Sequence, residues 1–214
     1  MTKYSDRWRE SSDVVTMFPT LVWKVELKTD FHEELDAQIL DALARIRMGL
    51  PALVIGQAWQ SEQRLHELEE FRGLANCIDE LTRSVLRFLK IACDEFEITG
   101  CWANILAPGA SHRMHSHPNN FLSGAYYVRT GPGADTINFH DPRIQTGVIR
   151  PPVTELTREN TDQVVINVKS GTLLIFPAYL LHSVDTNSGD EERISVSFNV
   201  MFSSFTEHLS RPLW

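Results

Sequence analysis

The chain has 214 residues, 43% of them hydrophobic, and a formal net charge of -8. That length suits one domain with material for a sizeable core, and the acidic balance argues against nucleic acid or an anionic membrane as the main partner. The cysteines Cys77, Cys93 and Cys101 are odd in number and lack metal-type spacing, so they read as reduced, buried thiols of a cytoplasmic protein. The stretch 1–12 is polar and carries both signs of charge, unlike a secretory leader. No run approaches the ~18 apolar residues that a membrane-spanning helix needs.

Taken in chain order, the first element is an alternating run from Phe18 to Leu27, which reads as a strand. Asp30 is placed to cap a helix whose apolar stripe runs Phe31, Leu35, Ile39, Leu43 and Ile46, ended by Gly49 and Pro51. A second helical stripe runs through Phe71, Leu74, Ile78, Leu81, Val85, Phe88 and Leu89. Residues 1–95 are therefore mostly helix with one or two strands. From Ile98 the texture changes to short β-rich runs: Gly100–Leu106, Phe121–Val128, Thr136–His140, Val164–Val168, Thr172–Phe176 and Ile194–Phe202. Turn residues separate them, a pattern that predicts a sandwich or barrel over residues 96–205, with 206–214 as a tail. The stretch 141–162, with three prolines and many polar groups, is expected to form a long binding loop.

Five of the eight histidines fall between positions 112 and 182. Two residues apart on a strand share a side, so His115 and His117 can both face a barrel interior and share one ion. His112 points the other way from a regular strand or sits in the turn before it. His182, far along the chain after a buried-looking run, can join the pair only through folding. Two adjacent imidazoles and one distant one suit Fe, Zn, Cu or Ni. The bland alternative is a solvated histidine-rich turn. Arg193 opens an alternating strand and Ser195 shares its face. An inward guanidinium is costly unless it meets an anion, and with a hydroxyl beside it makes a clamp for one carboxylate of a small diacid. The alternative for Arg193 is a surface strand end paired with Glu191 or Glu192.

The order of motifs resembles the double-stranded β-helix oxygenases. It runs Cys101-Trp102-Ala103-Asn104, Ala107-Pro108-Gly109-Ala110, His115-Ser116-His117-Pro118, Ser123-Gly124-Ala125-Tyr126-Tyr127-Val128, Phe139-His140-Asp141-Pro142-Arg143, Phe176-Pro177-Ala178-Tyr179-Leu180, His182 and Arg193-x-Ser195. It is most similar to small bacterial and phage members of the 2-oxoglutarate/Fe(II) superfamily. The resemblance implies a jelly-roll, cupin-like core buttressed by N-terminal helices, with Fe(II) as cofactor and 2-oxoglutarate as cosubstrate. It also implies a hydroxylase that uses oxygen on a small or amino-acid-like substrate. His115 and His182 become metal ligands, Arg193 and Ser195 the clamp on the distal carboxylate, and Asn104 and Tyr127 further cosubstrate contacts.

One position departs from the pattern. The usual triad is His-x-Asp/Glu with a distal His, and here His117 replaces the carboxylate. Three readings stay open: His117 coordinates directly, Asn119 or water fills the place, or His117 only lines the pocket. Two other classes stay open as well, a metal-holding sensor without turnover and a three-histidine dioxygenase that uses no 2-oxoglutarate. Trp102 is either core or a pocket wall. Asp141 and Arg143 either touch substrate or form a salt-bridged turn. His32 and His66 read as solvated helix residues and His208 as a bland tail residue. A homodimer is left open, with Trp214 as a candidate contact.

Overall fold

The computed structural model describes residues 10–92, 95–143 and 148–206. Ten strands and two long helices carry the architecture: β1 Trp23–Glu26, α1 Thr29–Ile46, β2 Ala58–Gln60, α2 Arg72–Phe88, β3 Phe96–Leu106, β4 His112–His115, β5 Leu122–Arg129, β6 Thr136–His140, β7 Gln163–Asn167, β8 Thr172–Pro177, β9 His182–Val184 and β10 Arg193–Phe202, with a short α3 over Ser203–Thr206. Two short 3₁₀ turns precede α2. Among the described residues, no helix is long and apolar enough to cross a membrane.

The strands form two antiparallel sheets. The major sheet has the order β1-β8-β5-β10-β3-β2 and the minor sheet β4-β9-β6-β7. From β3 to β10 the chain passes repeatedly between them, which makes this a double-stranded β-helix, or jelly roll. The N-terminal part is more than a buttress, because β1 and β2 complete the two edges of the major sheet.

Side-chain alternation explains the layering. On β10, Ile194, Val196, Phe198 and Val200 join a core that also takes Leu35, Ile39 and Leu43 from α1 and Leu74, Ile78 and Val85 from α2. On β5 the same core takes Tyr126, whereas Tyr127 belongs to a second core between the sheets, with Ile137, Phe139, Leu174 and Phe176. A sheet covered on both faces reads as a continuous apolar run rather than an alternating one, hence the buried stretch Leu122–Val128. Gly124 is required there: a Cβ would lie 2.1 Å from Phe198 Cζ and 2.3 Å from the Leu174 carbonyl oxygen.

Several expectations shift. The first strand is shorter than the alternating run, and Lys28 precedes α1 without a side-chain cap, with Asp30 inside the first turn. There its charge still complements the helix dipole. The ends of both apolar stripes, Phe31, Ile46, Phe88 and Leu89, are exposed. His32 is not free in solvent: its Nδ1 lies 3.1 Å from Asp36, which accepts a 2.7 Å hydrogen bond from the Tyr126 hydroxyl and so ties α1 to β5. Burial raises the Asp36 carboxyl above its usual range. His66 sits in a 3₁₀ turn, half-buried, with Nδ1 unpartnered. Cys101 is buried and Cys77 half-buried, both free. Cys93, His208 and Trp214 lie outside the described residues.

Candidate metal and cosubstrate site

The cavity between the sheets is lined by His112, His115, His117 and His182, by Tyr127, Arg193, Ser195 and Ser197, and by apolar residues that include Phe176 and Val184. The two sheets contribute different chemistry. The minor sheet presents histidines; the major sheet presents a cation and hydroxyls.

The histidines meet because β4 and β9 are paired strands, with His115 opposite His182. The strand ends at His115, so His117 reaches the cluster from the following loop and not by strand alternation. Its backbone N–H donates to the Ala178 carbonyl at 2.9 Å, fixing that loop against the β8–β9 turn. Asn119, at φ 63°, then turns the chain into β5; asparagine tolerates that left-handed conformation. Asn119 is exposed and does not line the cavity, so it offers no ligand there.

One ligand nitrogen from each of His115, His117 and His182 lies within 4.8 Å of the others. Ring centroids are 4.4 Å apart for His115 and His182 and 5.2 Å for His117 and His182. The Nδ1 atoms of His115 and His182 sit 2.7 Å and 2.9 Å from the carbonyl oxygens of Arg113 and Leu180. A carbonyl only accepts, so Nδ1 carries the proton in both rings and Nε2 keeps its lone pair for an ion. Burial holds His117 down to about 3 and His182 to about 4, reinforced by the neighbouring imidazoles. Neutral imidazole is the ligating form. The donor set therefore fits a divalent transition ion. Among the described residues, no carboxylate joins this group.

Facing it, Arg193 is 2% exposed. Its Nε donates to the Ala134 carbonyl at 3.0 Å, and its guanidinium carbon lies 5.0 Å from the centre of the Tyr127 ring. No carboxylate pairs with it among the described residues; Glu192 lies instead 3.8 Å from Arg47. The surface-pair reading of Arg193 is therefore excluded. Among the described residues, the buried Tyr127 hydroxyl has no partner at good hydrogen-bond geometry, with the Arg193 guanidinium as its polar neighbour. A buried cation with no counter-charge among the described residues is a costly arrangement that an anionic ligand relieves.

The remaining candidates separate. Ser195 faces Asn104 across β10 and β3, and the Asn104 amide donates to the Ser197 hydroxyl at 2.9 Å. Trp102 is buried and its ring lies 5.7 Å from that of His117, so it backs the cluster from the β3 side. Asp141 and Arg143 pair with each other at 2.7 Å and 2.9 Å and do not line the cavity. Sequence alternation set His112 aside, yet it lines the cavity: a register shift lies between His112 and His115, which breaks strict alternation. Asn187 is buried, and its amide donates to the carbonyls of Leu106 and Glu191, pinning the loops at one end of the sandwich.

Residues 100–199, from β3 to β10, match the sequence model of the family described as "Putative 2OG-Fe(II) oxygenase". No curated protein matches the sequence significantly. Among solved structures, the chain is similar to SnoN, the non-heme alpha-ketoglutarate-dependent epimerase from nogalamycin biosynthesis (TM-score 0.61, 16% identity, covering 86% of this chain and 79% of that one). It is also similar to HygX from Streptomyces hygroscopicus, solved with nickel and 2-oxoglutarate bound (0.59, 12%, 86% and 83%), and to a Pseudomonas putida prolyl-4-hydroxylase (0.57, 16%, 86% and 93%). At such identities the structural likeness establishes the double-stranded β-helix fold. With the family match it indicates a 2-oxoglutarate- and Fe(II)-dependent oxygenase, which takes oxygen as co-reactant.

Proposed function

We propose that this oxygenase hydroxylates a small or amino-acid-like molecule, with iron held by His115, His117 and His182 and 2-oxoglutarate anchored by Arg193. The observation that carries this reading is the buried, unpaired guanidinium of Arg193 in the same cavity as the histidine cluster. In this reading one carboxylate of 2-oxoglutarate sits on the Arg193 cation and the 2-oxo acid end faces the histidines.

Bound Fe(II) and 2-oxoglutarate supply the oxidising chemistry, in which 2-oxoglutarate and oxygen become succinate and carbon dioxide and one oxygen atom goes to the substrate. The chain's residues hold and orient. Arg193 neutralises the distal carboxylate, and the Ser195 and Tyr127 hydroxyls donate to it. Asn104 acts at one remove, by fixing Ser197. The Arg113 and Leu180 carbonyls fix the tautomers of two ligands. Phe176, 4.9 Å from the His182 ring, keeps water from its flank. Of the similar folds, HygX has also been solved with hygromycin B bound, which supports a small-molecule substrate here.

The absence of a carboxylate among the described cluster residues favours a second reading, a three-histidine dioxygenase without 2-oxoglutarate. Arg193 weighs against it, since such an enzyme has no diacid to clamp. The test is to incubate purified protein with Fe(II), ascorbate, 2-oxoglutarate and a metabolite panel and to follow succinate. Slow succinate release that a subset of metabolites accelerates is expected. No 2-oxoglutarate-dependent succinate under any condition would overturn the proposal.

A further inference from the structure

We propose that His112 is a second anchor for the anion that Arg193 holds, donating a ring N–H to its carboxylate; this rests on the 2-oxoglutarate reading above. Three observations carry it. His112 lines the same cavity as Arg193, Tyr127, Ser195 and Ser197. It stands beside the histidine cluster without being part of it: its ring is edge-on to that of His115 at 6.4 Å, and it is not among the three residues whose ligand atoms converge. Among the described residues its ring has no hydrogen-bond partner, in contrast to His115 and His182, whose Nδ1 atoms are held by carbonyls.

The chemistry follows from the neighbours. Burial and the field of Arg193 keep the imidazole neutral, at about 4. A neutral imidazole has one N–H donor and one acceptor. Beside a guanidinium, which only donates, the N–H has no use until an acceptor arrives. A carboxylate seated on Arg193 is that acceptor. His112 would then add a hydrogen bond to a charged group without adding a second permanent charge to the cavity. Opposite it on β9 is Val184, which offers no competing polar group. The part assigned to His112 is positioning and affinity, not bond-making.

The experiment measures 2-oxoglutarate binding to the Zn(II)-loaded full chain, calorimetrically, for wild type, His112→Phe and His112→Gln. Losing one bond to a charged group weakens binding roughly tenfold in His112→Phe, while the amide N–H of His112→Gln returns it to within about threefold. Zn(II) affinity, measured alongside, separates loss of the anchor from damage to the metal cluster. As a readout that requires no variant, ¹⁵N-histidine spectra of the wild type should show one further imidazole N–H becoming hydrogen-bonded when 2-oxoglutarate is added. Unchanged affinity in His112→Phe, or no new hydrogen-bonded imidazole, overturns this proposal alone. Absence of 2-oxoglutarate binding by the wild type overturns the parent reading and this one with it.

Discussion

The two sheets that enclose the cavity are built to different standards. The major sheet is sealed on both faces, by helices on one side and the minor sheet on the other, and Arg193 rides on its long strand β10 between β3 and β5. The minor sheet is short-stranded, and its histidines sit at the end of β4, in the following loop and on the three-residue β9. His115 is the most exposed of the three. The Arg193 end thus sits on a strand paired on both edges, whereas the histidine end is drawn together by two carbonyl contacts and one backbone bond. The costly element, a buried cation uncompensated among the described residues, is placed where the scaffold can bear it.

The largest effect that sharpens this contrast is on the sealed face. Phe198→Ala removes a fully buried ring from between β10, Gly124 and the helices. It should lower stability by about 3–5 kcal/mol in chemical denaturation, with 2-oxoglutarate affinity per folded molecule retained. An equal loss of affinity would show that the two faces of β10 are not separable.

Next comes the clamp itself. Arg193→Met should weaken 2-oxoglutarate binding by at least about 2 kcal/mol, the scale of a lost charge-assisted pair. In the ligand-free protein the same change should leave the melting temperature unchanged or raised, because it removes a buried charge with no partner. A lower melting temperature without ligand would mean that Arg193 is a structural residue.

At the metal end, His117→Ala should reduce Fe(II) affinity in an equilibrium titration by more than the roughly tenfold that an outer-shell partner is worth. His117→Asp, which restores the usual carboxylate, should bind iron at least as well as the wild type. Intact affinity in His117→Ala would make His117 a wall of the pocket.

The smallest effect concerns pH. His112 and His182 are held at about 4 and His117 at about 3, against ~6.5 in an unfolded chain. The folded state therefore binds fewer protons, and lowering the pH favours unfolding. Metal-free stability should be fully present above about pH 6.5 and fall steadily toward pH 4 in thermal melts. A flat profile across that window would mean that these rings titrate as exposed ones.

Much of this was legible in the residues. The run Thr136–His140 is β6 as observed, and Arg193 does open β10 with Ser195 on its face. Strong periodicity made α1 and α2 visible, but not that the stripe ends Phe31, Ile46, Phe88 and Leu89 are exposed. What stayed hidden was short or irregular. The strands β4 and β9 are four and three residues long and polar, too short for a period to register. The break in register within β4 turned His112 into the cavity, which no alternation rule foresees. Among the described residues no acid pairs with buried Arg193, which removes the alternative of a surface pair with Glu191 or Glu192.

The most direct test of the central claim, that Arg193 seats 2-oxoglutarate opposite the His115, His117 and His182 cluster, is anaerobic visible absorption of the Fe(II)-loaded protein. A band that requires both Fe(II) and 2-oxoglutarate should appear in the wild type and need at least ~30-fold more 2-oxoglutarate in Arg193→Met. No such band in the wild type, or the same 2-oxoglutarate dependence in both proteins, would contradict it.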